Sequence, residues 1–284
     1  MRGRTPIVVA VTTATTIALA VVVGEAHDLF LKPRDFVVRP GAEVQVRVLN
    51  GTFTSSEAPV ASNRLRDLTV AGPAGITHPE RATWADSAKE SRWRVTLREP
   101  GTHVLGASLD PKTIKLGGTE FNGYLREEGL PDILAARKTA RQLGDSAHER
   151  YAKHVKALVR VYASGAAKSA RADTAYRIVL GYPAELVPLD DPYVLRSGGT
   201  LRVRAMADGR PLIGQVVQAG GRTSSGARII QREVRTDSAG VARFRMSTRG
   251  TWYVKFIHMR QVPRSEGDSV THESKWATLT FARP

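Results

Sequence analysis

The chain has 284 residues, no cysteine and a formal net charge of +15 at pH 7. Without cysteine there are no thiolate metal ligands, no cysteine nucleophile and no disulfide staples. The arginines are scattered rather than gathered into a dense basic run, which argues against nucleic-acid binding and for an anionic envelope or an arginine-rich background.

The N-terminus has the layout of a secretory signal. Met1-Arg2-Gly3-Arg4 is basic, residues 7–23 are apolar without charge, and Gly24 and Ala26 are small residues where a signal peptidase reads. Cleavage after Ala26 leaves 258 of the 284 residues, a length that suits two domains. The alternative is an uncleaved anchor, because the apolar run is nearly long enough to span a bilayer. No later segment is apolar enough to cross a membrane. The mature protein is therefore expected to be periplasmic or secreted.

Residues 27–120 read as an N-terminal β-sandwich. Phe36, Val38, Val44, Val46 and Val48 alternate with polar residues around a Pro40-Gly41 turn. Residues 68–70, 93–97 and 103–109 supply further short strands, separated by turns rich in glycine and proline. Residues 121–180 read as a helical insert and connector. A helix is expected over 131–143, with Pro131 in its first turn and Gly144 at its end. Ser146 to Glu149 has capping-box spacing, so a second helix is expected there, with Tyr151, Val155, Leu158 and Val159 on its apolar face. Residues 163–173 read as a loop.

Residues 181–284 read as a C-terminal, prealbumin-like β-sandwich, and those from Tyr193 onward are expected to fold alone. Asp208-Gly209 marks a tight turn, and Gly240 suits positive φ ahead of the next strand. An internal repeat links the two β-regions. At an offset of 157, residues 36–41 align with 193–198 and 44–48 with 201–205. Pro100-Gly101-Thr102 likewise resembles Arg249-Gly250-Thr251. The competing explanation is that β-sandwich entry strands look alike.

No nucleophile elbow or phosphate-binding glycine loop is present, and the adjacent pairs Asp190-Asp191 and Glu127-Glu128 do not converge as acid and base. Chemistry rests on the seven histidines, none at zinc-protease spacing. If the chain begins at His27, its α-amino group and imidazole can chelate one ion, a nitrogen set that suits nickel(II) or copper(II). A second histidine would have to come from the fold. His258 ends the same-face row Trp252, Val254, Phe256, while His272 and His103 are the further candidates. Against this, His27 also reads as an ordinary exposed terminal residue, and His103 as structural.

Several stretches carry a family resemblance. They are residues 26–31 (AHDLFL), 121–129 (FNGYLREEG), 151–156 (YAKHVK), 181–188 (GYPAELVP) and 273–281 (ESKWATLTF). The chain resembles exported bacterial proteins described as nickel or cobalt uptake-like periplasmic proteins, a domain of otherwise unknown function. The resemblance implies export, a β-rich fold and a histidine just after the signal. The expectation is a non-enzymatic protein that binds a divalent transition metal, nickel or cobalt or else copper, and passes it to a membrane transporter component. The alternative is a non-catalytic sandwich module of the cell envelope. A third reading is an oxidative copper enzyme.

Overall fold

The computed structural model describes residues 27–162, 173–263 and 269–284. The expected signal peptide, residues 1–26, and most of the expected 163–173 loop lie outside them. The first half contains β1 (Asp28–Pro33), β2 (Val37–Val38), β3 (Ala42–Gly51), β4 (Leu65–Gly72), β5 (Gly75–Thr77), β6 (Trp84–Asp86), β7 (Ser91–Leu97), β8 (Gly101–Leu109) and β9 (Lys112–Leu116). Two helices follow, α1 (Gly118–Glu127) and α2 (Pro131–Thr139). Then come β10 (Ala147–Val161), β11 (Ala184–Pro188), β12 (Gly199–Ala207), β13 (Arg210–Pro211) and β14 (Val216–Thr223). The chain closes with β15 (Arg228–Arg235), β16 (Val241–Met246), β17 (Gly250–Gln261) and β18 (His272–Arg283).

The fold is mainly β, with sandwich packing and a helical hairpin between the β-regions. One 10-stranded sheet, in the order β15-β14-β17-β18-β10-β8-β4-β5, runs through both halves, with β2 and β9 also pairing β10. Two four-stranded sheets pack on it. The first, β1-β3-β7-β6, buries Val44, Val46 and Trp93 against Leu105, Ala107, Val155 and Val159. The second, β11-β12-β13 with β16, buries Leu201, Val203 and Phe244 against Trp252, Val254, Phe256 and Leu279.

Side chains alternate across a strand, so the parity of the core residues fixes the layering. On β8, Leu105 and Ala107 point into the first core and Val104 into the second. On β10, Val155 and Val159 point into the first and Leu158 into the second. The two small sheets therefore lie on opposite faces of the shared sheet. The helices cover the same face as the first small sheet. Phe121, Tyr124 and Leu125 pack there on Tyr151, Ile257 and Trp276.

The helix expected from Ser146 is instead strand β10. Its apolar residues match a helical template, but it runs through the middle of the sheet and is buried on both faces along its second half. A strand buried on both faces loses the two-residue alternation that identifies strands. Glu149 caps no helix; its carboxylate accepts from the hydroxyls of Tyr124, at 3.2 Å, and Ser274. The first helix, α1, is started by Glu120, whose Oε2 accepts the Gly117 amide at 3.0 Å.

The internal repeat has a structural counterpart. Gly41 (φ +79°) and Gly198 (φ +76°) precede β3 and β12, each flanked by antiparallel partners in its small sheet. Gly101 (φ +128°) and Gly250 (φ +145°) open β8 and β17 of the shared sheet. At all four positions the backbone enters a region that L side chains disfavour.

Candidate functional site

His27 stands at the entry to β1, at an edge of the first small sheet. Its Nε2 lies 2.8 Å from Glu57 Oε2, and its side chain is 34% exposed, so the ring is held yet reachable. Glu57 sits on the turn after β3. Its amide donates to the Asn50 carbonyl at 3.0 Å, and the Thr52 amide donates to Ser55 O at 2.9 Å. Phe53 pins this turn. Its ring meets Phe30 at 5.3 Å and Tyr253 at 5.0 Å, while Lys32 Nζ stands 4.4 Å above it.

Beneath His27 lies a buried network of charges. The Lys153 ammonium donates to the His27 carbonyl and sits 3.4 Å from Asn50 Oδ1, between the rings of Tyr151 and Trp276. Burial pulls its pKa down to about 8. The Lys255 ammonium donates to Asp28 at 2.6 Å and to Glu128 at 3.0 Å. Burial acts to depress it, but the two carboxylates outweigh that and hold its pKa raised. Glu128 is itself pushed up, by burial and then by the nearby Asp28 charge. Further in, burial lifts Glu149 to about 7. Thr278 Oγ1 donates to the Leu29 carbonyl at 2.7 Å and so ties β1 across to the shared sheet. Residues 27–29 are thus held by side chains from β10, β17 and β18.

The other metal-ligand candidates lie elsewhere. Lys255 and His258 are three apart on β17, so they project to opposite faces. Lys255 reaches Asp28, whereas His258 Nδ1 pairs with Gln215 Oε1 at 3.2 Å. His258 therefore lies across the sheet from His27. It lines a small cavity of about 170 Å³ with Asp208, Arg260 and Lys275, and burial, then Lys275, lowers its pKa.

His272 shares the face of His27 but sits four residues along β18 from Trp276, the residue paired with Lys153. That is roughly 13 Å of strand. Its ring packs on Phe121 at 4.8 Å, its Nδ1 meets Thr271 Oγ1 at 2.8 Å, and burial holds its pKa down at about 4. His103 pairs with Val159, six residues from Lys153 along β10 and so roughly 20 Å away. It is buried beneath Gly72, where an added Cβ would lie 2.5 Å from the ring. The fold does not gather His27, His258, His272 and His103, and no group of three or more His, Asp or Glu placed to hold an ion occurs among the described residues. Among the described residues, no second histidine is brought to His27.

Sequence reasoning passed over Glu57, Lys153, Lys255 and Glu128, which surround the junction. One signal was available: Lys153 stands at the buried parity of β10, between Tyr151 and Val155, where a lysine needs a partner. Glu128 and Asp191, read as solvated, are held in ion pairs with Lys255 and Arg160.

A family model described as a domain of unknown function (DUF4198) matches residues 24–260. Among curated proteins no match was found. A crystal structure of a DUF4785 family protein from Legionella pneumophila subsp. pneumophila str. Philadelphia 1 aligns at 10% identity with a TM-score of 0.23. The alignment covers 79% of this chain and 51% of that one, so the chain spans about half of that protein. A likeness at this level carries no argument.

Proposed function

The chain belongs to the DUF4198 family, a domain of unknown function whose match begins beside the processing junction, and from that premise we propose that the exported protein binds a divalent transition ion at its processed N-terminus, His27. The observation that carries this is the 2.8 Å contact between His27 Nε2 and Glu57 Oε2. A carboxylate that accepts the Nε2 proton fixes the imidazole tautomer, as the outer partners of metal-bound histidines do. It leaves Nδ1, the nitrogen nearer the backbone, to chelate together with a free α-amino group. Nickel, cobalt and copper all suit such a nitrogen pair.

With no second histidine nearby, the ion keeps open positions on the solvent side. That favours handing it on, for which a membrane transporter component is the proposed recipient. Lys153 and Lys255 hold the backbone at His27 and Asp28, so the chelate forms on a fixed base.

The test is calorimetric titration of the mature protein with nickel, cobalt, copper and zinc. Binding is expected in the micromolar range. It should be lost in His27→Ala and in a variant carrying one residue before His27, and weakened about 10- to 100-fold in Glu57→Gln. If the extended variant binds like the parent, the chelate reading fails and a metal-free envelope module becomes the better account.

A further inference from the structure

A second feature lies in the C-terminal sandwich. The strand β15 ends the shared sheet, and β16 pairs only with β12 in its small sheet. Both are therefore edge strands of the C-terminal sandwich. Between them runs an open groove of about 460 Å³ lined by Ser197, Gly198, Arg232, Arg245 and Ser247. No carboxylate lines it.

Arginines next to it on the same strands are neutralised. Arg243 on β16 pairs with Asp237 at 2.5 Å, and Arg235 on β15 pairs with Asp132 at 2.8 Å. Arg232 and Arg245 have no such partner among the described residues. The Arg245 guanidinium lies over Gly198, where a Cβ would stand 3.5 Å from Nη2, at ordinary contact. The Gly198 φ of +76° disfavours any residue with a side chain. The Ser197 hydroxyl donates to the Ser247 carbonyl at 3.1 Å and closes the floor of the groove.

We propose that this groove binds a phosphate-class anion held between Arg232 and Arg245. Each guanidinium offers two parallel N–H donors. A carboxylate can bridge two arginines, as Glu90 does with Arg47 and Arg92, but it brings one charge and two oxygens to them. A phosphate has enough oxygens to meet both forks and carries more charge for two cations. The groove is open rather than enclosed, which suits a phosphate attached to a larger molecule. The Ser247 hydroxyl supplies a further donor at the rim.

The source is either a soluble phosphate or an anionic lipid headgroup, and the test separates them. The mature protein is titrated with inorganic phosphate in a calorimeter and, separately, floated with phosphatidylglycerol or phosphatidylcholine vesicles. The variants are Arg232→Ala/Arg245→Ala, Arg245→Lys, and an Arg39→Ala/Arg81→Ala control that removes the same charge from the other sandwich. Thermal melts check that each remains folded, as expected for exposed arginines.

Saturable binding is expected with at least one probe. Loss of each arginine should weaken it about tenfold, and Arg245→Lys should weaken it because lysine lacks the fork. Phosphate binding without flotation identifies a soluble ligand; flotation with phosphatidylglycerol alone identifies a headgroup. The proposal is overturned if neither probe binds, or if the control loses as much binding as the groove variant.

Discussion

The sharpest test of the fold's energetics is the buried pair Lys156–Glu185, which links β10 to β11 at 2.9 Å with side chains only 2% and 3% exposed. Glu185 also accepts the Leu180 amide at 3.0 Å and the Gly181 amide at 2.9 Å. Among the described residues the Lys156 ammonium has no other partner. The two truncations should therefore differ. Glu185→Ala strands a buried ammonium and two amides, and breaking a buried pair this way costs about 3–5 kcal/mol. For a chain of this size that is roughly 6–20 °C in Tm. Lys156→Met leaves the carboxylate its two amide donors and should cost clearly less. The pH dependence provides a second handle. Burial lowers the Lys156 pKa in the folded protein, so the unfolded chain binds more protons in the window below the ordinary lysine value. Stability then rises with pH across that window, and Glu185→Ala, which removes the stabilising charge, should recover visibly in alkaline buffer. Differential scanning calorimetry of the three proteins from pH 7 to 10 would measure this. Equal melting temperatures for the two variants at pH 7, or a Glu185→Ala loss that does not shrink with pH, would refute the reasoning.

Intact-mass analysis of the exported protein should find His27 as the first residue; a retained Met1 sinks the chelate. Glu149, raised to about 7 by burial against an ordinary value of 4.5, holds a proton in the folded state that the unfolded chain releases. Its contribution is fully present below about 4.5 and is lost as pH rises through about 7. Glu149→Gln should flatten the fall in Tm between pH 5 and 8, and identical profiles would remove Glu149 as its cause. Gly72→Ala places a Cβ 2.5 Å from the buried His103 ring and should cost about 1–3 kcal/mol by overpacking, read as a lower urea midpoint. Expressed alone, residues 193–284 lack β10 and β11, and β18 then bares the edge that pairs residues 149–157. Light scattering should find self-association; a monomer with a cooperative melt would show that the C-terminal sandwich needs neither strand.

Much of the β-architecture was legible because one face of most strands is wet. In β7 the pattern from Ser91 to Leu97 alternates without a break between buried and exposed. The Asp208-Gly209 turn was legible from chemistry alone: both residues take positive φ, 49° and 74°, and Ala207 pairs with Arg210 across them. Where the reasoning failed, tertiary burial had overwritten the period. The centre of β10 carries Lys153, His154, Lys156 and Arg160, all buried. Each finds a partner distant in sequence: the His27 carbonyl, Ser108, Glu185 and Asp191. A window of sequence cannot supply those partners, so the segment reads from its apolar residues alone, at helical spacing.

The same limit explains the candidate site. Parity assigned His258 correctly to the row of Trp252, Val254 and Phe256, which is the face of the second core. Parity cannot say on which face the N-terminus docks. That is decided by Lys255, one position off the row, which draws Asp28 to the opposite face, and by Thr278 and Thr280, which bond the carbonyls of Leu29 and Leu31. Once β1 is committed to that face, the shared sheet itself separates His258 from His27. An ion held as proposed at His27 must therefore find its remaining donors in solvent or a second molecule, and the affinity of the isolated protein should be set by the amino–imidazole chelate with Glu57 behind it.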